Sequence, residues 1–504
     1  RAWIMILTVK EAAEAIGGNV IVGEDVCFNS ESIATDSNKA AEGALFIPVI
    51  GARVDGHRFI GGAFDNGATC TLTSKALSEE LLAKAKAEHK GIIMTEDNVA
   101  ALQRLGAFFR EKYVHIPYIG VTGSVGKTTT REMIACAVSA GFDTYSTKGN
   151  ANSQTGVPIT VMATPESAGI GVIEMGISEF GEMHRLSEVV KCDMAVMTVI
   201  GISHIANLGS QENIMKEKLH ILDDMPDGAS LFLNGDDPLL KELSEEKIHA
   251  YGIAEGKRIN ISFYGTGDNA DYKAVNVKEN SDGSEFDVYV NGSMKTHVRL
   301  FVPGTHMILN ALAAIASAFA AGVDIKKAAE ALSSFKSLDG RGEICESRGI
   351  KVINDAYNAA PQSVKAGLRV LNGIQSEGYG RHTAVLADML ELGDEEVFYH
   401  EDIGRFIVSE TPKIDKVMLY GKLSSHILEG IRNEAHKYGA SVNEASESLN
   451  IDFNNGRCLD VQHFSDFEEL SKTVKAETKA GDTVFFKGSN SMKLWRMAKE
   501  LIGE

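Results

Sequence analysis

Proline, paired cysteines and runs of basic residues are all scarce in this chain of 504 residues. The 9 prolines fall far below the roughly 5% of an average protein, which argues against long disordered or proline-rich linkers. The 6 cysteines are scattered, without a Cys-x-x-Cys pair or a histidine spacing suited to zinc. The sequence therefore predicts no disulfide framework and no zinc ribbon, and we expect reduced thiols in a cytoplasmic protein.

Positive charge is also in short supply, because 50 lysines and arginines face 69 aspartates and glutamates, for a formal net charge of −19. This charge would repel a nucleic-acid backbone or an anionic membrane, so we expect neither as a partner.

Long apolar runs are missing too. The run 3–9 is too short for a signal peptide, and the stretch 307–323 is Ala-rich and broken by Asn310 and Ser317. That stretch predicts a buried helix and no membrane insertion.

The length of the chain predicts about three domains of roughly 150 residues each. Strand-like runs alternate with helical ones, which is typical of an α/β fold. We predict a small α/β domain over residues 1–97, a central mononucleotide-binding parallel sheet over 98–334, and a Rossmann-like α/β domain over 335–504. The pair Asn291-Gly292, between two strand-like runs, indicates an antiparallel hairpin appended to the central sheet. We expect a monomer.

A glycine-rich loop follows the predicted strand 118–121 and leads into a predicted helix over 130–140. Its residues are Gly123, Ser124, Val125, Gly126, Lys127, Thr128 and Thr129. Such a turn points backbone N–H groups at an anion, while Lys127 can reach nucleotide phosphates and the Thr128 hydroxyl can bind Mg²⁺. Val121 stands where the longer phosphate-loop pattern has glycine, which disfavours a GTPase or a kinase.

Two further polar residues follow predicted strands of the central sheet. Glu174 ends the apolar run 169–175, and His204 follows the next strand. Because the carboxyl ends of parallel strands meet at one edge, both side chains can face the phosphate loop and hold a metal ion. Alone, Glu174 could be a surface cap and His204 a structural hydrogen-bonding group. Together they favour a metal site.

Motifs spread over the whole chain resemble, in order, those of the Mur ligase family. They are 122–129, Gly149-Asn150-Ala151-Asn152, 172–176, His204, 233–238, Gly340-Arg341, 355–361, 388–393 and 487–489. Three segments are most similar to the members of that family that add D-alanyl-D-alanine. They are Asp-x-Tyr-Asn-x-x-Pro from Asp355, Asp-Met-Leu-Glu-Leu-Gly from Asp388, and Asp55-Gly56-His57.

The resemblance implies an ATP-dependent ligase of peptidoglycan precursor synthesis, and so a role in cell shape and division. Such an enzyme joins a UDP-N-acetylmuramoyl-tripeptide to D-Ala-D-Ala through an acyl phosphate, with ATP and two Mg²⁺ sites. The residues implied for ATP are the loop 123–129, Asn310, Arg341 and Asp355. Those implied for substrate are Asp36, Ser37, Asp55, Gly56, His57, Asn150 and Asn152. Those implied for metal are Thr128, Glu174, His204 and Lys218, and the expected catalytic residues are Lys127, Lys218, His204 and Arg341.

Lys218 lies fourteen positions after His204, the spacing at which related Mur ligases carry a carbamylated lysine that helps to bind the second Mg²⁺. The alternative is an ordinary exposed lysine in the predicted helix 213–222. The resemblance also assigns nucleotide contacts to Arg341 and Asp355, which belong to the predicted third domain. We therefore expect that domain to close over ATP bound to the second.

Two other functions stay open. One is a ligase of the same family with a different substrate, such as another muramoyl peptide or a folylpolyglutamate-like acceptor, which the Asp55-Gly56-His57 segment disfavours. The other is a non-catalytic nucleotide-binding regulator, which the joint retention of Lys127, Glu174, His204 and Lys218 disfavours. The third residue of the tripeptide, lysine or diaminopimelate, is also left open.

Overall fold

Three main sheets organise the chain, and a computed structural model describes residues 6–51, 53–280, 282–375, 380–445 and 447–503 of it. In each sheet most neighbouring strands are parallel and are joined by helices, as the predicted α/β fold requires. The predicted apolar run 3–9 lies partly outside the described residues, and its described part forms a first strand and the start of a helix.

The first part of the chain has short strands and three helices. The strands are β1 (Ile6–Thr8), β2 (Asn19–Val22), β3 (Cys27–Asn29), β4 (Ile33–Ala34), β5 (Leu45–Phe46), β6 (Cys70–Thr73) and β7 (Gly91–Met94). The helices are α1 (Val9–Ile16), α2 (Ile60–Asp65) and α3 (Glu79–Ala87). Five strands form a sheet in the order β2-β7-β6-β5-β4, with β1 and β3 paired beside it. Helix α1 begins with a capping box of Thr8 and Glu11 and ends at Gly17, whose φ of 69° suits glycine.

The central part is built on the longest sheet. Its strands are β8 (Tyr118–Thr122), β9 (Thr144–Ser146), β10 (Ile170–Glu174), β11 (Met194–Met197), β12 (Ala229–Asn234), β13 (Ile259–Gly265), β14 (Tyr272–Asn280), β15 (Gly283–Val290) and β16 (Ser293–Leu300). Its helices are α4 (Asn98–Tyr113), α5 (Lys127–Val138), α6 (Gly156–Met162), α7 (Glu182–Val190), α8 (Ile205–Leu208), α9 (Gln211–Leu219), α10 (Glu245–Ala250), α11 (Thr305–Ala320) and α12 (Ile325–Leu332).

The central strands are ordered β16-β15-β14-β13-β12-β11-β8-β10-β9. The seven neighbouring strands from β14 to β9 run parallel, whereas β15 pairs antiparallel with both β14 and β16. The hairpin that Asn291-Gly292 predicts is therefore confirmed as β15 and β16. The Ala-rich helix α11 packs against α5 and is buried along most of its length, as its sequence predicts.

The last part contains a third sheet, ordered β17-β18-β24-β19-β20-β23-β22-β21. Its strands are β17 (Glu343–Ser347), β18 (Ile350–Asn354), β19 (His382–Ala387), β20 (Lys416–Tyr420), β21 (Ser441–Ala445), β22 (Ser448–Asp452), β23 (Cys458–Phe464) and β24 (Thr483–Lys487). Its helices are α13 (Pro361–Gly373), α14 (Glu396–Glu410), α15 (Ser425–Lys437), α16 (Phe467–Glu477) and α17 (Leu494–Ile502). Five neighbouring strands from β18 to β23 are parallel and both edges are antiparallel.

Within the described residues, no helix has both the length and the apolar character needed to cross a bilayer.

Gly106 marks the close packing of α4 on the helices that support the central loops. A Cβ built at Gly106 would lie 2.7 Å from Cβ of Pro158 and 3.2 Å from a Val189 methyl. We expect Gly106→Ala to lower the free energy of unfolding by about 1–3 kcal/mol, because overpacking forces helices apart. Chemical denaturation would measure this. Gly373→Ala is the matched control, since nothing lies within 4 Å of its built Cβ, and an equal loss in both variants would contradict the packing argument.

Candidate active site

A cleft of about 750 Å³ opens where the central strands β8, β10, β11 and β12 end. All three parts of the chain line it. Val49 and Val99 come from one side, the loops after the central strands form the floor, and Arg341, Asp355 and Lys487 come from the last part. This is the carboxyl edge of the parallel strands, where open α/β sheets bind ligands.

The predicted phosphate loop joins β8 to α5 at the floor of the cleft. Gly123 has a φ of 145°, and a Cβ there would lie 1.9 Å from Oγ1 of Thr198, so only glycine fits. Gly126, with a φ of 86°, precedes the first helical residue, Lys127. The Lys127 ammonium donates to the carbonyl oxygens of Gly123 (2.8 Å) and Ser124 (3.3 Å). Desolvation lowers the pKa of Lys127. The negative charge of Glu174 opposes this shift, and the positive charge of Arg341 adds to it.

Glu174 ends β10 and is buried beside the loop, with 1% of its surface exposed. Its Oε1 accepts hydrogen bonds from Thr128 Oγ1 (3.1 Å) and Asn152 Nδ2 (2.6 Å), and its backbone N–H donates to Thr147 Oγ1 (2.9 Å). Its Oε2 is buried and accepts no hydrogen bond. The structure thus brings together three of the predicted residues: Thr128, Asn152 and Glu174.

Arg131, which the sequence analysis did not single out, lies behind Glu174. It is 1% exposed, and its Nε lies 4.0 Å from Glu174 Oε2 without a hydrogen-bond partner. Its other nitrogens donate to the carbonyls of Thr147 and Gly149 and to Glu132. One cation therefore holds helix α5, the loop after β9 and the buried carboxylate together. Only the burial of Arg131 in the fold reveals its importance, because in the sequence Arg131 is simply a charged residue of a predicted helix.

His204 and Lys218 lie near the same floor. His204 lines the cleft with a left-handed φ of 63°, and its Nδ1 is 3.4 Å from Glu391 Oε2 of the last part. Burial lowers the pKa of His204, and Glu391 opposes this shift. Lys218 is 2% exposed rather than a surface residue of its helix. Burial lowers its pKa well below the usual value, and the charge of Lys127 adds to this effect.

The predicted residues of the last part also face the cleft. The Arg341 guanidinium stacks 3.9 Å from the centroid of the Tyr357 ring. Asp355, directly after β18, accepts a hydrogen bond of 2.5 Å from Lys487, at the end of β24. Lys487 is 3% exposed, so the pair is fixed. His306 of α11 faces this pair, and burial lowers its pKa.

Asn150 and Asn310 complete the set of predicted residues that line the cleft. Asn150 lies on the loop after β9, next to Asn152. Asn310 projects from the buried helix α11, and its Oδ1 accepts a hydrogen bond of 3.0 Å from Thr130. Gln362 of α13 is a further lining residue that the sequence analysis missed, and its Oε1 is buried without a hydrogen-bond partner.

The residues predicted to bind substrate in the first part are not among those lining the cleft: Asp36, Ser37, Asp55, Gly56 and His57. Asp36 caps a 3₁₀ turn that begins at Ser37, with its carboxylate accepting from the Asn38 N–H at 3.0 Å.

Asp55, Gly56 and His57 form a fixed turn. Asp55 accepts hydrogen bonds from His57 Nδ1 (2.6 Å) and Lys75 (2.5 Å). These bonds hold the pKa of Asp55 below its usual value, and the bond from Lys75 has the largest effect. A Cβ on Gly56 would lie 2.7 Å from the carbonyl oxygen of Val49, so the turn packs directly against a residue that lines the cleft. Nε2 of His57 contacts Ser74 Oγ at 3.1 Å.

The donor set of the floor fits a hard divalent cation. Glu174 presents a buried carboxylate oxygen without a partner, and the Thr128 hydroxyl lies against the same carboxylate. Oxygen ligands of this kind suit Mg²⁺, which keeps several waters and takes few protein ligands.

Fold and cleft together define a class of α/β proteins in which a phosphate-binding loop of a central sheet faces basic residues from a separate C-terminal sheet. Family models match almost the whole chain: the Mur ligase family catalytic domain at residues 30–110, the Mur ligase middle domain at 121–318, and the Mur ligase glutamate ligase domain at 340–490. The chain belongs to the Mur ligase family.

Similar proteins cover the full length. The UDP-N-acetylmuramoyl-tripeptide–D-alanyl-D-alanine ligase of Bacillus subtilis is 36% identical over 499 residues, 98% of each chain. The crystal structure of MurF from Acinetobacter baumannii superposes with a TM-score of 0.81 at 24% identity, over 99% of this chain and 100% of that one. The MurF ligase of Thermotoga maritima in complex with ADP gives a TM-score of 0.74 at 23% identity, over 94% and 96%. These two structures share the fold.

Arg131→Met should weaken Mg²⁺-dependent nucleotide binding about 10- to 100-fold, the range seen when a residue that orients a metal ligand is removed. The reason is that the buried Glu174 carboxylate then loses the guanidinium beside its Oε2, which compensates its charge and helps to hold it in place. Calorimetric titration of a non-hydrolysable ATP analogue, with and without Mg²⁺, would measure the effect. Arg131→Lys should restore part of the affinity, and Glu132→Gln is the control at the partly exposed partner of Arg131. Unchanged Mg²⁺ dependence in a folded Arg131→Met protein would contradict the role.

Proposed function

We propose that this chain is an ATP-dependent ligase that forms an amide bond between a UDP-N-acetylmuramoyl-tripeptide and D-Ala-D-Ala in peptidoglycan precursor synthesis, releasing ADP and phosphate. The observation that carries the proposal is the cleft, in which a phosphate loop and a buried carboxylate face Arg341 and Lys487. The full-length relationship to the Bacillus subtilis ligase supports the choice of substrates. We further propose that it acts as a cytoplasmic monomer.

In the proposed reaction the peptide carboxylate attacks the γ-phosphate of ATP, ADP leaves, and the amine of D-Ala-D-Ala then displaces phosphate from the acyl phosphate. Two anions must approach each other in the first step, so the chain has to supply positive charge. Lys127 on the loop and Arg341 from the last part are suited to hold the transferring group from two sides. Asp355, held by Lys487, would orient the nucleotide together with Asn310.

Two Mg²⁺ ions would be held by Thr128 with the nucleotide and by Glu174, His204 and Lys218. When bound, the ions would offset negative charge on the phosphates and the acyl group. Glu174 is kept ready for this by Thr128, Asn152 and Arg131, which leave its Oε2 free of hydrogen bonds. Asn150 and Asn152 are then suited to contact the muramoyl peptide.

Lys218 would take part as a carbamate. A neutral amine adds to CO₂, forming the N–C bond and releasing one proton, and the anionic product can bind a metal ion. Burial next to Lys127 favours the neutral amine that this addition needs.

The first domain would contribute indirectly. Asp55, Gly56 and His57 hold the loop that carries Val49 to the cleft, and Asp36 with Ser37 fixes a neighbouring turn. We propose that this frame shapes the site for the UDP-sugar.

The direct test is phosphate release by the purified protein. We expect release only when ATP, Mg²⁺, UDP-N-acetylmuramoyl-tripeptide and D-Ala-D-Ala are all present, with lysine and diaminopimelate tripeptides tested separately. Lys127→Ala should lower kcat by about two to three orders of magnitude, because it removes a charge facing the transferring phosphate. Turnover with a folate and glutamate but not with the muramoyl peptide would exclude the proposal.

Lys218→Ala should lower activity, and short carboxylates such as acetate should restore part of it by replacing the lost carbamate. Lys216→Ala is the matched control on the same helix, because Lys216 is more exposed and pairs with Glu212 at 2.8 Å. Steady-state rates with and without added carboxylate would measure both. Full activity of Lys218→Ala without additive would reject the carbamate.

Closure of the last part over ATP is expected to make the particle more compact, because Arg341 and Asp355 must reach a nucleotide held by the central loop. Small-angle scattering should give a smaller radius of gyration with an ATP analogue and muramoyl substrate than without ligands. Arg341→Ala should lower kcat far more than it weakens substrate binding. An unchanged radius together with an unimpaired variant would refute closure.

A further inference from the structure

Outside the cleft, one group of three metal-ligating side chains comes together in the described part of the chain: His184, His220 and Asp223. Their ligand atoms all lie within 4.8 Å of one another. Nδ1 of His184 is 2.7 Å, and Nδ1 of His220 2.8 Å, from the same carboxylate oxygen, Oδ2 of Asp223. None of the three lines the cleft. We propose that they form a second, separate metal site, which binds a divalent transition-metal ion such as Zn²⁺.

Two different elements bring the ligands together. His184 lies in the first turn of α7, whereas His220 begins the 3₁₀ turn His220–Leu222 that follows α9, and Asp223 caps the end of that turn. Residues three apart in a 3₁₀ turn lie one above the other, which puts His220 and Asp223 on the same face. The two imidazole rings are nearly perpendicular, at 80° with centroids 6.3 Å apart. Both rings direct Nδ1 at Oδ2 of Asp223, so the two nitrogens face one shared region, where an ion would replace these hydrogen bonds.

The frame behind the ligands is fixed by hydrogen bonds that need no ion. The Lys257 ammonium donates to the carbonyl oxygens of Asp223 (2.5 Å) and Met225 (3.0 Å). The Ser187 hydroxyl of α7 accepts from the Asp224 N–H at 3.0 Å and donates to the Ile221 carbonyl at 3.4 Å. The turn is thus fastened to α7 at several points. Ligands that are positioned beforehand lose little freedom when an ion binds.

The donor set selects the kind of ion. Two imidazole nitrogens with one carboxylate oxygen suit Zn²⁺, Co²⁺ or Ni²⁺, whereas Mg²⁺ prefers oxygen ligands alone. His184 is about half exposed, at 53%, so water can complete the coordination and the ion can exchange. The Glu188 carboxylate lies 3.8 Å from the other ring nitrogen of His184. This carboxylate is too distant for a hydrogen bond, and it adds negative charge beside the imidazole.

An ion at this site would join two elements that also serve the cleft. Helix α7 begins at Glu182, which lines the cleft, and the turn begins two residues after Lys218. A bound ion should therefore raise the thermal stability of the protein by linking α7 to this turn. This role is independent of the ligase reaction.

The test is equilibrium dialysis of the untagged full-length protein against ZnCl₂ in the presence of excess MgCl₂, with bound zinc measured by mass spectrometry. We expect one zinc per chain, with binding at least tenfold weaker in His184→Ala and Asp223→Asn. Dialysis against CoCl₂ should give a visible absorption band in the wild type that is lost in His184→Ala.

Two controls locate the ion. His297→Ala removes a comparably exposed histidine, which contacts a single carboxylate of Asp287 at 2.9 Å, and should bind zinc as the wild type does. Glu174→Gln alters the cleft and should also retain the ion. Absence of zinc binding by the wild type, equal binding by His184→Ala, or loss in Glu174→Gln alone would each overturn the proposal.

Discussion

The buried carboxylate of Glu174 is the constraint on which the arrangement of the cleft depends. A carboxylate out of contact with water is costly unless cations and hydrogen bonds compensate it. Here Thr128 and Arg131 from one helix and Asn152 from the loop after β9 converge on Glu174. The helix, the loop and strand β10 are thereby held in one geometry. One oxygen is still left without a partner, which is what a site prepared for a cation requires.

The second level of organisation is the division of charge between two sheets. The central sheet provides the phosphate loop and the buried carboxylate, and the C-terminal sheet provides Arg341 and the Lys487–Asp355 pair. Because these groups belong to separate sheets, each sheet can fold with the charges of its own side chains compensated. Asp355 holds Lys487, and Tyr357 covers the Arg341 guanidinium. Under the proposed closure, the two sheets would meet fully only on a bound ligand, which would exclude water from an acyl phosphate.

Features set by local chemistry could be predicted from the sequence. The strand and glycines of the phosphate loop, the Asn291-Gly292 hairpin and the buried Ala-rich helix are confirmed, because each depends on neighbouring residues. The helix after the loop is also present, but it spans Lys127–Val138 and so begins three residues before the predicted start at 130. The family and the α/β fold are confirmed too. The roles of the individual site residues stay predictions.

The interactions that the sequence could not supply are long-range ones. Arg131 and Gln362 have no motif of their own. Arg131 matters because it is buried beside Glu174, which is distant in sequence, and Gln362 because it lines the cleft with a buried oxygen that has no hydrogen-bond partner. The Asp55-Gly56-His57 segment shows a structural role that its pattern does not reveal. In the fold it braces the loop that carries Val49, and its predicted contact with substrate stays a prediction.

Lys218 illustrates how burial can decide between two interpretations of one residue. On an amphipathic helix its neighbours suggest a solvated lysine, yet it is 2% exposed and lies near Lys127. A second ammonium there would be deprived of water and repelled by the first, so burial and the charge of Lys127 both disfavour the charged amine. The neutral amine avoids that cost. Burial would penalise the proposed anionic carbamate as well, so the carbamate would need both the charge of Lys127 and a metal ion beside it to offset its own desolvation. Burial therefore excludes the solvated lysine of the alternative interpretation, and the choice between the neutral amine and the proposed carbamate depends on the metal ion.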